Sequence, residues 1–256
     1  MVMPLGNEAK SKVTAWATYA LIAVNLLCFG LEQVKPRSFM IAYSATPYEI
    51  TNNIDLANPF THRPRPLEGD RLDPPSEVPG ILVHQANGPS PIWLTLITAM
   101  FLHANLIHLA GNLLFLSIFG QRVEEAFGRL WFVGFYTGCG VVGNLAQVSF
   151  DPLSLRPILG ASGAIAGIMG AYLVWFPRDR VRVLVLNFLF LVPASGVIGC
   201  WIVTQLLYRF FLPDDVAHSG GVAYLSHLGG LAVGVVTALA MRFRNPTKRR
   251  DADVSV

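Results

Sequence analysis

Charge is what this chain has least of. Only 14% of its 256 residues are Asp, Glu, Lys or Arg, against 53% hydrophobic, and the mean hydropathy is clearly positive. That balance excludes a soluble enzyme, because several stretches long enough to cross a bilayer, about 20 residues each, carry no charge at all. Cysteine is also scarce. Cys28, Cys139 and Cys200 each fall inside an apolar run, so neither a disulfide framework nor a metal-ligand spacing is indicated, and they read as free thiols. The net charge of +3 does not indicate a nucleic-acid partner, since the basic residues sit at the ends of apolar runs rather than along a stripe. Nothing resembles a cleaved leader: the first apolar run is long, and no A-x-A-type site follows it. Finally, no carboxylate lies inside any apolar run.

What remains is a set of six apolar segments, near 13–31, 92–119, 130–150, 158–176, 191–212 and 222–241. They predict an all-α membrane protein, a bundle of six transmembrane helices. A polar start (1–12) precedes a body (13–243) and a basic tail (244–256). Within the body, 32–91 reads as a long loop, whose prolines at 59, 64, 66, 74, 75 and 79 forbid a long helix. Residues 121–129 read as a short charged turn, and 177–182 as a basic one. The stretch 183–208 exceeds one span and is interrupted by Pro193 and Gly196, so its first part reads as interfacial or kinked. Lys10, Lys12, Arg122, Arg129, Arg178, Arg180, Arg182 and the tail fall on one side, which predicts that both termini are cytoplasmic and the long loop external. The compact six-span form suggests a bacterial plasma membrane.

Two residues stand out against this background. Ser162 lies among small neighbours in Leu159-Gly160-Ala161-Ser162-Gly163, at the head of an apolar helix. A helix start supplies unpaired N–H groups and partial positive charge, the setting in which an oxyanion is stabilised. His227 sits inside the last apolar run, where an ionisable group is costly and therefore a functional candidate. Counting from the external face, both lie about one turn deep. The last segment also has Ser226, Gly230, Gly234 and Ala238 at intervals of four, and the fourth has Gly163, Gly167 and Ala171. Such faces let membrane helices approach closely, enough for a Ser–His hydrogen bond of ~3 Å. His108 and Asn112, four apart on one helical face, are two polar donors that suit an oxyanion. A metal site built from His103, His108 and His227 is the weaker alternative, because His103 and His108 are five apart and point to different sides. The absence of a carboxylate in any span argues for a Ser–His dyad rather than a triad, and no cofactor is indicated.

Together these residues resemble a known family. Leu159-Gly160-Ala161-Ser162-Gly163, His108-x-x-x-Asn112 upstream and His227-Leu-Gly-Gly downstream look like the motifs of the rhomboid intramembrane serine proteases. Val123-Glu124 and Phe127-Gly128 resemble a structural motif of the same family. The resemblance implies a rhomboid-like bundle with Ser162 as nucleophile and His227 as its base. His108, Asn112 and the Ser162 backbone would form the oxyanion hole, with Gly160 keeping the preceding turn open. It further implies a serine endopeptidase whose partners are single-span membrane proteins and the lipid bilayer, with no soluble partner. Two positions depart from the pattern: Ala166 stands where some members carry an aromatic that packs on the histidine, and the first loop shows no Trp-Arg pair. Tyr224, or the helix packing itself, would then orient the ring. His103, Asn105 and Ser226 are candidate lining residues of a water-filled cavity, and substrate would enter beside the fifth segment. A helix-binding pseudoenzyme and a six-helix transporter are the competing readings; both Ser162 and His227 being present speaks against the first, and the lack of charged residues inside the spans against the second.

Overall fold

The computed structural model describes residues 2–8, 11–57, 86–211 and 222–244. The proline-rich stretch 59–79, the acidic loop 213–221 and the last part of the basic tail lie outside the described residues.

Among the described residues, helices of fourteen residues or more are α1 (Trp16–Val34), α2 (Leu106–Phe127), α3 (Arg129–Phe150), α4 (Ser162–Trp175), α5 (Ala194–Phe210) and α6 (Tyr224–Arg244). Trp16–Val34, Leu106–Phe127 and Tyr224–Phe243 are long and apolar enough to cross a membrane; Ile92–Phe101 and Ser162–Trp175 are shorter apolar helices. Bulky apolar side chains cover the outside of the bundle, among them Leu27, Leu130, Trp131 and Phe210. An exterior of that kind suits lipid and not water.

α4 is the centre. Eleven of its fourteen residues are buried, because it is apolar all round rather than on one face. Its small residues let α6 come up against its backbone. A β-carbon added at Gly230 would collide with the Gly163 carbonyl, and one at Gly234 with the Gly167 carbonyl. Side chains then fasten the pair at its far end: Trp175 Nε1 donates to the Ala238 carbonyl at 3.1 Å, and Arg242 Nη1 to the Val174 carbonyl at 2.6 Å. α3 joins through Ser226, whose hydroxyl donates to Asn144 Oδ1 at 3.0 Å.

Three expectations are corrected. First, the fold is not purely helical: β1 (Val2–Asn7), β2 (Arg180–Val185) and β3 (Phe188–Pro193) form an antiparallel sheet in the order β1-β2-β3. In β2, Val181 and Val183 are buried while Arg180 and Arg182 face outward, a period of two. The readings of 1–12 as a polar start, of 177–182 as a basic turn, of the first part of 183–208 as interfacial or kinked, and of a span beginning at 191 missed this pairing. The hairpin turn is Leu186-Asn187 with Leu186 at a φ of 54°, and it carries none of the Asn-Gly or Asp-Gly signals that mark such turns.

Second, 121–129 is not a turn: α2 continues through it to Phe127, and the bend comes at Gly128, whose φ is 82°. Arg122 and Glu124 are buried because each has work inside. Glu124 caps the start of α1, its carboxylate accepting from Ala17 N at 3.0 Å, Thr18 N at 2.7 Å and Thr18 Oγ1 at 2.8 Å. Arg122 pairs with Asp179 and Glu125, each at 3.3 Å, while Tyr172 and Asn7 extend the cluster from α4 to the sheet. Third, the second apolar segment is broken. Ile92–Phe101 is a separate short helix, and α2 starts only at Leu106, where Asn105 Oδ1 accepts from His108 N at 2.9 Å as an N-cap.

The two ends of the bundle therefore differ. One gathers the sheet, the start of α1 and the Arg122–Asp179 cluster. The starts of α2, α4 and α6 meet at the other.

Candidate active site

An extended segment leads into α4. Ala45 and Ile158 exchange backbone hydrogen bonds of 3.0 and 2.9 Å, and Gly160 N donates to the Ala99 carbonyl at 2.8 Å. The chain then turns sharply at Gly160, whose φ of 113° lies in the region that only glycine adopts without strain. A side chain there would also strike His108: a β-carbon would lie 2.7 Å from its ring atoms Cε1 and Nε2 and 3.6 Å from Asn112 Nδ2. Gly160 thus contributes conformation and space; its own N–H is taken by Ala99.

Two residues later Ser162 opens α4, so its N–H is among those with no partner within the helix. His227 lies in the first turn of α6 and is buried. The two side chains meet: His227 Nε2 is 2.7 Å from Ser162 Oγ. They come from residues 65 apart, and the glycine contacts between α4 and α6 are what permit the approach.

His108 and Asn112 lie on the face of α2 that looks onto the Gly160 turn. Asn112 Nδ2 is buried and has no hydrogen-bond partner among the described residues. A buried amide donor left unpaired is costly, which marks Asn112 as a candidate donor to a ligand. The Ser162 hydroxyl and the His227 imidazole thus meet two residues beyond the glycine turn that His108 and Asn112 face, and a hydroxyl held against an imidazole is the pairing that acyl transfer uses.

Other expectations meet mixed outcomes. His103 and His108 do not diverge: their rings lie edge to face with centroids 5.2 Å apart. His103 precedes α2, so helical spacing does not govern it. Among the described residues no group of three His, Cys, Asp or Glu has the arrangement to hold a metal. Asn105 and Ser226 are engaged in the cap and the α3–α6 bond given above. Tyr224 does reach the His227 ring, edge on, with centroids 6.4 Å apart. Sequence reasoning missed two further neighbours, both in α5. Trp201 lies against the ring at 5.6 Å, and Gln205 Oε1 is 2.7 Å from Nδ1. The available signal was a tryptophan and a glutamine four apart in a mostly apolar helix.

The rhomboid domain family description matches residues 91–244, which hold every residue of this site. The chain belongs to the rhomboid family. It is 34% identical over 148 residues to the RHOMBOID-like protein 6, mitochondrial, of Arabidopsis thaliana, covering 55% of this chain and 42% of that protein. With the rhomboid protease GluP of Bacillus subtilis it shares 32% over 152 residues, covering 58% of this chain and 26% of that protein. With the putative rhomboid protease YdcA of the same bacterium it shares 38% over 96 residues, covering 38% and 46%. This rhomboid thus spans about half or less of the length of these relatives. A rhomboid domain and apolar helices make it a membrane protein. Mitochondrial and chloroplastic names occur among the relatives beside bacterial ones, so kinship does not select the bacterial plasma membrane.

Proposed function

We propose that this rhomboid is a serine endopeptidase cutting single-span proteins within the bilayer. The observation that carries the reading is the 2.7 Å contact between Ser162 Oγ and His227 Nε2, supported by the unpaired Asn112 amide at the Gly160 turn two residues before Ser162. In the reaction, His227 Nε2 removes the Ser162 proton as Oγ attacks the scissile carbonyl carbon. The resulting oxyanion is received by Asn112 Nδ2, His108 and the Ser162 N–H. Collapse of the tetrahedral intermediate breaks the C–N bond; His227 delivers its proton to the leaving amine, and Ser162 is left acylated. Water, deprotonated by His227, then releases the second fragment and restores the hydroxyl.

All six long helices would cross the membrane, with both termini and the sheet on the cytoplasmic side. The site would open to the other face. A helical substrate must unwind locally, because its carbonyls are otherwise engaged. α5 is the best candidate for its entry, since only three of its seventeen residues are buried.

The test is direct. Reconstituted protein should cleave a reporter bearing one transmembrane helix, and a fluorophosphonate should label it on Ser162, as located by peptide mapping. Absence of both cleavage and labelling would reject the proposal. In the same assay Asn112→Ala should lower kcat by roughly 10²-fold, the loss typical of one oxyanion donor, with KM little moved. An unchanged kcat would remove Asn112 from the oxyanion hole.

A further inference from the structure

The His227 imidazole is gripped from both sides. Its Nε2 faces Ser162, and its Nδ1 lies 2.7 Å from the side-chain oxygen of Gln205. An amide oxygen can only accept a hydrogen bond, so Nδ1 must carry the ring proton. That leaves the lone pair on Nε2, directed at the hydroxyl. The opposite tautomer would present an N–H to Ser162 and could not take its proton.

The rest of α5 is built around this contact. Its buried residues are Ala194, Ile198 and Gln205, a single stripe down the helix, so the one buried polar side chain of α5 is spent on His227. Trp201, one turn before Gln205 on the same side, lies against the ring at 5.6 Å and 38°. Tyr224 closes another edge at 6.4 Å and 85°. With Ala166 in place of an aromatic, α4 offers the ring the Ser162 hydroxyl, and the aromatic rings against it are Trp201 of α5 and Tyr224 of α6.

We infer that Gln205 is a positioning residue, fixing both the tautomer and the ring angle of His227 by accepting from Nδ1, with Trp201 as the backing surface. It touches neither substrate nor reacting atoms. Its effect on turnover rests on the protease reading above, whereas the tautomer is a property of the resting protein. In a Ser-His-Asp site, losing the group that fixes the tautomer lowers kcat by about 10⁴. That group is a buried carboxylate, which also stabilises the imidazolium. A neutral amide gives one uncharged hydrogen bond, so the expected loss is smaller, about tenfold to a hundredfold.

Gln205→Met keeps length and volume while removing the acceptor, and Gln205→Glu restores an acceptor oxygen. The full chain, labelled with ¹⁵N-histidine in detergent, reports the tautomer through its ring-nitrogen shifts; the His227 signals are assigned by their loss in His227→Gln. The wild type should show a protonated Nδ1 and a bare Nε2. In Gln205→Met this single tautomer should give way to a mixture, with kcat down about tenfold to a hundredfold, KM nearly unchanged and the melting temperature close to wild type. Gln205→Glu should recover both the tautomer and most of the turnover. Wild-type ring signals in Gln205→Met would overturn the inference, as would a protonated Nε2 in the wild type. Should Gln205→Met not fold, Gln205→Asn, too short to reach Nδ1, must show the same loss of tautomer. A chain that shows the expected ring shifts yet never cleaves the reporter would retain the positioning role and lose the protease reading.

Discussion

Ser162→Ala and His227→Gln should each lower kcat by at least about 10³-fold, and the double variant should be no worse than either alone. The expectation follows from how the two groups share one proton. Ser162 Oγ and His227 Nε2 are 2.7 Å apart, so on the proposed reading the hydroxyl would become a nucleophile only as the imidazole takes its hydrogen. Removing either partner removes the whole step. In serine proteases the losses are accordingly grossly non-additive, and a residual acceleration survives from the oxyanion donors and from binding. On the proposed reading the residual would belong to Asn112, His108 and the Ser162 N–H. The measurement is kcat of the three variants on a transmembrane reporter, with melting temperatures to establish that each is folded. If the two single losses multiplied in the double variant, Ser162 and His227 would be acting independently. Retained turnover in Ser162→Ala would place the nucleophile elsewhere.

How much of this was legible in the sequence depends on which physical signal a residue leaves. Ser162, His108, Asn112 and His227 were legible because each is polar where its surroundings are apolar, and their spacing puts them on defined helical faces. The α4–α6 contact was legible too, since Gly163, Gly167, Gly230 and Gly234 repeat at four-residue intervals and the backbones do meet there. Gln205 left a weaker trace. A lone amide in an apolar helix is no rarity, and its role appears only once α5 is rotated so that its stripe of Ala194, Ile198 and Gln205 points inward. The sheet was hidden for another reason: β1 and β2 are separated by most of the chain, and their pairing of Val2 with Val185 through Asn7 with Val181 is non-local. Charge misled at the end of α2. Arg122 and Glu124 read as turn residues, because their pairing with Asp179 and with the start of α1 could not be seen from their own neighbourhood. Hairpin turns and helix caps that lack their usual residues, such as Leu186-Asn187, leave no local mark at all.

Gly234→Ala, the addition of one carbon, should destabilise the protein and cost it most of its turnover, while Gly138→Ala should do neither. At Gly234 the new β-carbon would fall on the carbonyl of Gly167, with the Gly167 Cα and carbonyl carbon close behind. All three are backbone atoms of a buried helix, so no side chain can swing away to make room. The strain must be taken up by moving α4 and α6 apart. Overpacking of this kind typically costs about 1–3 kcal/mol. Separating these helices also lengthens the Ser162–His227 contact, which lies seven residues before Gly234 on the same α6 surface. A contact of 2.7 Å has little to give before proton transfer fails. At Gly138, on α3, nothing lies within 4 Å of where a β-carbon would stand. Alanine there should be neutral or stabilise the helix by about 0.5–1 kcal/mol, because it lowers the conformational freedom that glycine loses on folding. Thermal melting in detergent and reporter cleavage would be measured side by side for both variants. Equal melting and equal turnover for Gly234→Ala would mean that the backbones of α4 and α6 are not in contact, and the geometric basis for joining Ser162 to His227 would be gone.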